Sequence, residues 1–287
     1  MKYRITSETK VVGNITLHRI ECVTAFGDVG CGAKGGWIES EKNLSQCGNA
    51  WVGENAIVSG EAMVGGNATI DGEATVGGNA TIDGEATVDG HARIGENAII
   101  GRNAWVGGNA MVSGYATIDG EATVDGEAMV GGNATIDGEA TVDGHARIGE
   151  NAWVGRNAWV GGNAVVSENA WVGGNARIYG DATVYGHAVV GNNAWVDGNA
   201  RIYGHAVVGE KADYIVFKNW WSSGRYFTWT RSNNKWKVGC FYGSGEELIK
   251  KAYKDSEKSG REYERVVNYV NDILKEEDNG NRNKREG

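Results

Sequence analysis

The sequence predicts an all-β solenoid flanked by two non-repetitive ends. Three observations predict it. From Ala50 to Ala212 every sixth residue is alanine, and from Val52 to Val208 every sixth is valine or isoleucine, both without a break. GGNATIDGEATVDGHARIGENA at 131–152 repeats the stretch at 77–98 letter for letter, 54 residues later. The chain has 46 glycines and no proline, which is neither a collagen nor a linker composition.

The unit reads [VI]-[GDSY]-[GEN]-[NEH]-A-x, as in Val64-Gly65-Gly66-Asn67-Ala68-Thr69. A 3.6-residue helix would smear this pattern around its surface, so a long helix is excluded. Branched residues suit short strands. Gly and Asn at the third and fourth places suit corners, because both tolerate left-handed backbone angles.

This unit resembles the hexapeptide repeat of the left-handed parallel β-helix proteins. In that family three hexads make one triangular coil, with the aliphatic side chain inside and the small one near a corner. The resemblance covers about 27 hexads and implies about nine coils, or a rod roughly 40 Å long. The duplication agrees: 54 is three times 18, so every copied residue returns to its own face. GNARIYG recurs at 174–180 and 198–204 with a shift of 24, which fits a 12-residue turn better, but the longer copy outweighs it.

The residue before each aliphatic one is expected to point outward, which defines three walls. Wall one runs from Trp51 to Trp195, wall two from Ile57 to Arg201 and wall three from Met63 to Val207, in steps of 18. Wall three ends in an apolar strip, Trp153, Trp171, Val189 and Val207. Such a strip marks a subunit or partner interface, or a face shielded by the C-terminal segment. Hexapeptide rods commonly associate as parallel trimers, so the resemblance implies a homotrimer. The threonine rows read as ladder packing of β-branched residues rather than an ice-binding array, since Trp, Arg and Met interrupt them. Asp71 and Asp89, Asp125 and Asp143, and Asp119 and Asp137 fall on neighbouring rungs. They read as solvated pairs, with a bound cation as the alternative.

Residues 1–48 are expected to cover the open N-terminal end, with Lys2–Thr6 and Thr16–Val23 as a hairpin. Ile38 and Leu44 sit in the alanine frame, so the cap should continue the coil. FGDVGCGAKGGWIESEKNLSQCGNAWV also resembles the leader of hexapeptide-repeat proteins of gut bacteria and their phages, some labelled transferases by fold alone. Residues 49–212 form the β-helix and 213–275 a small α/β module. That module is expected to hold strands at Tyr214–Phe217, Tyr226–Thr230 and Lys235–Phe241, then two helices with capping boxes at Ser244/Glu247 and Ser259/Glu262. Residues 276–287 read as a solvated, disordered tail.

Charge is uneven: 20 acids against 7 bases over 49–212, 6 bases against 5 acids before it, 15 bases against 12 acids after it. The acidic middle argues against nucleic acid as a partner. Nothing resembles an apolar run of about 20 residues or a charged-then-apolar leader, so no membrane contact, no secretory export and a cytoplasmic location are expected. Cys22, Cys31, Cys47 and Cys240 lack CxxC spacing and read as reduced thiols.

Many hexapeptide proteins are acyl-CoA-dependent transferases with a histidine base at a subunit interface. His91, His145, His187 and His205 all occupy the fourth hexad place and read as corner residues; His187 and His205, 18 apart, are the best pair for that role. The uninterrupted hexads lack the loop that shapes an acceptor pocket in such enzymes. VGCGAKGG at 29–36 lacks P-loop spacing. No cofactor or metal is implied. In the C-terminal module Trp220, Trp221, Arg225, Tyr226, Trp229, Arg231, Trp236 and Tyr242 mix aromatic and basic groups, a composition that can bind a protein, a glycan or a nucleotide. The alternative is that the aromatics are the module's own core. The sequence thus reads as a non-enzymatic scaffold, phage- or prophage-related, that presents a recognition module on a rigid rod. An acyltransferase, and a phage inhibitor that binds a host defence protein or nucleotide signal, are the alternatives.

Overall fold

The computed structural model describes residues 1–283. Strands β1 (Tyr3–Val12) and β2 (Ile15–Cys22) form the expected hairpin, and β3 (Lys34–Ile38) follows. The rod comprises 27 two-residue strands, β4 (Trp51–Val52) to β30 (Val207–Val208). They stack in three columns of nine, and every strand pairs in parallel with the one 18 residues away, as Thr87 does with Trp105 and Thr69. With the cap coil, the solenoid has about ten turns. The 24-residue recurrence therefore carries no structural period.

Each hexad place has a distinct physical duty. The alanines from Ala50 to Ala206 and the Val/Ile residues from Val52 to Val208 are buried throughout, forming one continuous core, whereas Ala212, the last in the alanine frame, is exposed. Each buried Val or Ile contributes roughly 1.5–3 kcal/mol. The backbone ladder continues through the corners as well as the walls: the Trp51 amide donates to the Ala68 carbonyl at 2.9 Å, and the Asn55 amide to the Gly72 carbonyl at 3.0 Å. Left-handed φ falls on the third place alone, at every corner from Gly48 to Gly204. The fourth place has ordinary angles and instead builds side-chain ladders, as where Asn133 donates to Asn151 at 3.0 Å and Asn151 to Asn169 at 3.3 Å. The expectation that both places are left-handed is corrected accordingly. At Gly126 (φ +68) a Cβ would lie 2.9 Å from the Gly144 amide of the next coil, so two constraints select glycine there.

The cap continues the coil, but two residues out of the expected frame. Ile38 pairs with Val58 and Leu44 bridges Val64, so both occupy aliphatic places, not alanine places. The two extra residues lie between Leu44 and Val52. Asn43 secures this irregular turn, its side-chain amide donating to the Gly60 and Ala62 carbonyls. Lys2 reaches under the first rung and donates to the Ala50 carbonyl at 2.7 Å, and burial pulls its ammonium pKa down.

The C-terminal module is a four-stranded antiparallel sheet, β31 (Tyr214–Lys218), β32 (Tyr226–Thr230), β33 (Lys235–Val238) and β34 (Phe241–Gly243), with helices α1 (Gly245–Asp255) and α2 (Glu257–Asn283). The single strand expected over Lys235–Phe241 is two, because the chain reverses at Gly239 (φ +55). The Ser244/Glu247 capping box forms. The second helix starts earlier than Ser259/Glu262 implies, and the Ser256 hydroxyl accepts from the Ser259 amide at 3.1 Å. Residues 276–283, expected as solvated tail, continue α2; 284–287 lie outside the described residues.

This module closes the rod. Solenoid ends expose unpaired strand edges, and here a side chain of the module hydrogen-bonds to each of the three. On wall one, the Tyr214 hydroxyl donates to the Trp195 carbonyl at 3.0 Å. On wall two, the Arg201 amide donates to Thr228 Oγ1 at 2.8 Å. On wall three, the Val207 amide donates to Ser232 Oγ at 2.7 Å. Among the described residues, no helix is long and apolar enough to cross a membrane.

Candidate functional site

The eight aromatic and basic residues singled out in the C-terminal module do not converge. Trp229 and Trp236 are buried with Phe227, Leu248, Tyr263 and Val267 in the module's own core. Trp229 donates its indole N–H to Asn234 at 2.8 Å, so its polar edge is satisfied internally. Trp221 is buried edge-on to Tyr263, and its indole nitrogen has no partner among the described residues. Tyr226 is half-buried beneath the Lys218 ammonium. Arg231 is a clasp: it donates to the Ala212 carbonyl and to Glu277 of α2, tying rod, sheet and helix together.

Three of the eight, Trp220, Arg225 and Tyr242, are exposed. Trp220 is the most exposed, at 75%. Arg225 lines a cavity of about 330 Å³ between the sheet and the helices, with Cys240, Lys251, Asp255 and Tyr263. Burial raises the pKa of the Tyr263 phenol, which accepts from the buried Asn219 amide at 3.1 Å. Tyr242 lies at the seam with the rod, where its hydroxyl donates to the Tyr203 carbonyl at 3.3 Å.

On wall three, Trp153 and Trp171 stack with centroids 4.8 Å apart and planes 14° apart. Both are half-buried against their own chain, whereas Val207 is 49% exposed. The indoles lie flat along the wall because a glycine leaves room for each ring. Gly107, Gly155, Gly161 and Gly173 each stand two residues after a tryptophan, and a Cβ at any of them would collide with or crowd that indole. The signal is legible as Trp-Val-Gly, with Trp51 the exception, since its indole lies against Gly35 of the cap rather than Gly53. Trp195 has Asp197 in that position instead; it is 40% exposed and covered by the Lys211 ammonium, 4.1 Å above its ring.

The indoles also engage two of the stacked carboxylates. Trp153 donates to Asp137 and Trp159 to Asp143, each at 3.0 Å, while Asp119 pairs with Arg102 at 3.2 Å. Those three are engaged within the chain. No cluster of three or more His, Cys, Asp or Glu capable of holding a metal occurs among the described residues.

His187 and His205 stack at 5.0 Å with near-parallel rings on an exposed corner. Among the described residues neither has a carboxylate within ion-pair distance, unlike His91 and His145, which sit 3.3 and 3.2 Å from Glu73 and Glu127. The latter two pairs are copies, related by the 54-residue duplication. Lys34 of the glycine-rich cap segment pairs with Glu8 at 3.1 Å. The four cysteines are free, and burial raises the pKa of the Cys22 thiol.

With this geometry in hand, comparison with known families returns one finding. Residues 176–192 match the YdcK beta solenoid repeat, a segment spanning one coil of the rod. Curated proteins gave no match. The chain is thus a repeat β-solenoid protein by both its fold and this local similarity.

Proposed function

We propose that this chain is a non-enzymatic scaffold: a capped, rigid rod that self-associates as a parallel homotrimer through wall three and presents its C-terminal module to a partner. One observation carries the reading. All 27 hexads run without an insertion, so no loop leaves the rod to shape a substrate cleft. The flat walls and covered ends favour lateral contact over end-to-end growth. For the trimer, the support is the strip Trp153, Trp171, Val189 and Val207. The cap's resemblance to proteins of gut bacteria and their phages supports a phage-related setting.

The acyltransferase reading has less behind it, because His187 and His205 face open solvent at a convex corner. Light scattering tests the assembly: the scaffold reading expects a mass near three times 30.6 kDa, with Val207→Asp shifting it to monomer. Thiol release from acetyl-CoA in the presence of amine acceptors would overturn the non-enzymatic assignment.

A further inference from the structure

We propose that the seam between the rod's last two coils and the C-terminal module is a binding site for a phosphate ester of mononucleotide size. The inference does not depend on the scaffold reading. It rests on a break in the repeat. At the second hexad place after wall two, the first seven rungs carry only Ser or Gly, from Ser59 to Ser167. The last two carry Tyr185 and Tyr203, the rungs that the module overhangs.

Ladder packing does not require that change, since seven small residues stack on the same corner without it. The two phenol rings stand 6.5 Å apart, and Tyr242 of the module closes edge-on against Tyr203 at 5.1 Å. Tyr185 and Tyr203 line a cavity of about 370 Å³, large enough for a small ligand, and Tyr242 supports the Tyr203 ring from outside that lining. Thr183 and Arg201 of wall two line it together with Lys237 of β33.

The charges are the second observation. Arg201 and Lys237 line one cavity, and no carboxylate forms an ion pair with either among the described residues. Lys237 is held 4.0 Å above the Tyr203 ring. Burial, and then the neighbouring Arg201 charge, pull its ammonium pKa down. Two positive charges converge in this cavity against the single carboxylate of Glu168, which leaves a net positive charge for an anion to meet. Arg201 offers a planar fork and Lys237 a point charge, a combination suited to phosphate. Glu168 also lines the cavity. Its carboxylate disfavours a second anionic group and accepts hydrogen bonds from a hydroxyl or amine. With Lys237 over the Tyr203 ring, the Tyr185 ring is the one that takes the ligand's flat ring.

The test uses the full chain in low-salt, phosphate-free buffer. Calorimetric titrations with AMP, adenosine and inorganic phosphate separate the anion from the ring. AMP should bind roughly tenfold or more tighter than either fragment, and Arg201→Met or Lys237→Met should each weaken it by roughly tenfold or more. Arg201→Lys should retain intermediate affinity. As a check that needs no variant, AMP should shield Lys237 from acetylation, read by mass spectrometry on the wild-type chain. Equal affinity for adenosine or for phosphate, no binding of AMP, or a Lys237 that stays reactive in its presence would each overturn the assignment.

Discussion

The rod and the C-terminal tip solve opposite problems with the same strands. Along the rod, each coil is templated by its neighbour, so one set of residue rules serves nine storeys: aliphatic inside, alanine inside, glycine or a tolerant substitute at the left-handed corner. Specificity there is spread thinly. At the tip, nothing repeats. A few side chains, Tyr214, Thr228, Ser232 and Tyr242, meet the last coil's backbone one bond at a time. Repetition makes length simple to specify, whereas termination and recognition need individual residues.

That contrast can be broken at several points. The largest effect should come from removing the tip. A chain ending at Ala212 exposes the edges of β28 (Trp195–Val196), β29 (Arg201–Ile202) and β30 together with the end of the core, and should aggregate. Light scattering against the full chain checks this; a soluble, monodisperse truncation would show that the tip is not a cap.

Next is a charge inside the rod. Val124 is fully buried in mid-rod, and Val124→Asp should cost several kcal/mol and broaden the thermal transition seen by circular dichroism. A smaller loss, about 1–3 kcal/mol, is expected for Gly155→Ala, whose new methyl would meet the Trp153 indole. Displacing that ring should red-shift tryptophan emission, a readout that simple loosening elsewhere would not share.

The N-terminal cap offers a pH test. Tyr3 is fully buried and its hydroxyl donates to the Leu44 carbonyl at 2.6 Å; burial pushes its pKa up to about 12. The folded state therefore favours the neutral phenol. Its contribution is complete below the ordinary value of 10.0 and disappears as pH rises through about 12. Tyr3→Phe should lower stability by about 1 kcal/mol at neutral pH and flatten the pH dependence across that window. Smallest is a gain: Glu96 holds a left-handed φ of 54, and Glu96→Gly should be neutral or stabilising by up to about 1 kcal/mol in thermal melts.

The same contrast explains what the sequence makes legible. The rod's walls, core and 18-residue coil follow from the unbroken period, because geometry and spacing are locked together. Where the lock is absent, the reading slips. Ile38 and Leu44 look like alanine-frame residues only if the last cap turn has six residues, and nothing between Ser45 and Asn49 announces the two extra. The Gly239-Cys240 reversal is short enough to read as one strand. The tip's aromatic-basic mixture suggests one cluster, yet the fold sends Trp229 and Trp236 into the core and Arg231 to Glu277. That sorting depends on long-range packing that no local pattern encodes. Tyr185 and Tyr203 are legible as a broken column once the 18-residue register is applied to the second hexad place.

The most direct test of the stacked-coil account is deletion of Gly77–Val130. This removes 54 residues, and because 131–152 copies 77–98 the new junction preserves the native pattern. If the coil has 18 residues, the shortened chain should fold cooperatively and its longest dimension in small-angle scattering should fall by about 14 Å. An unfolded or aggregated product, or equal tolerance of a 12-residue deletion at the same point, would contradict it.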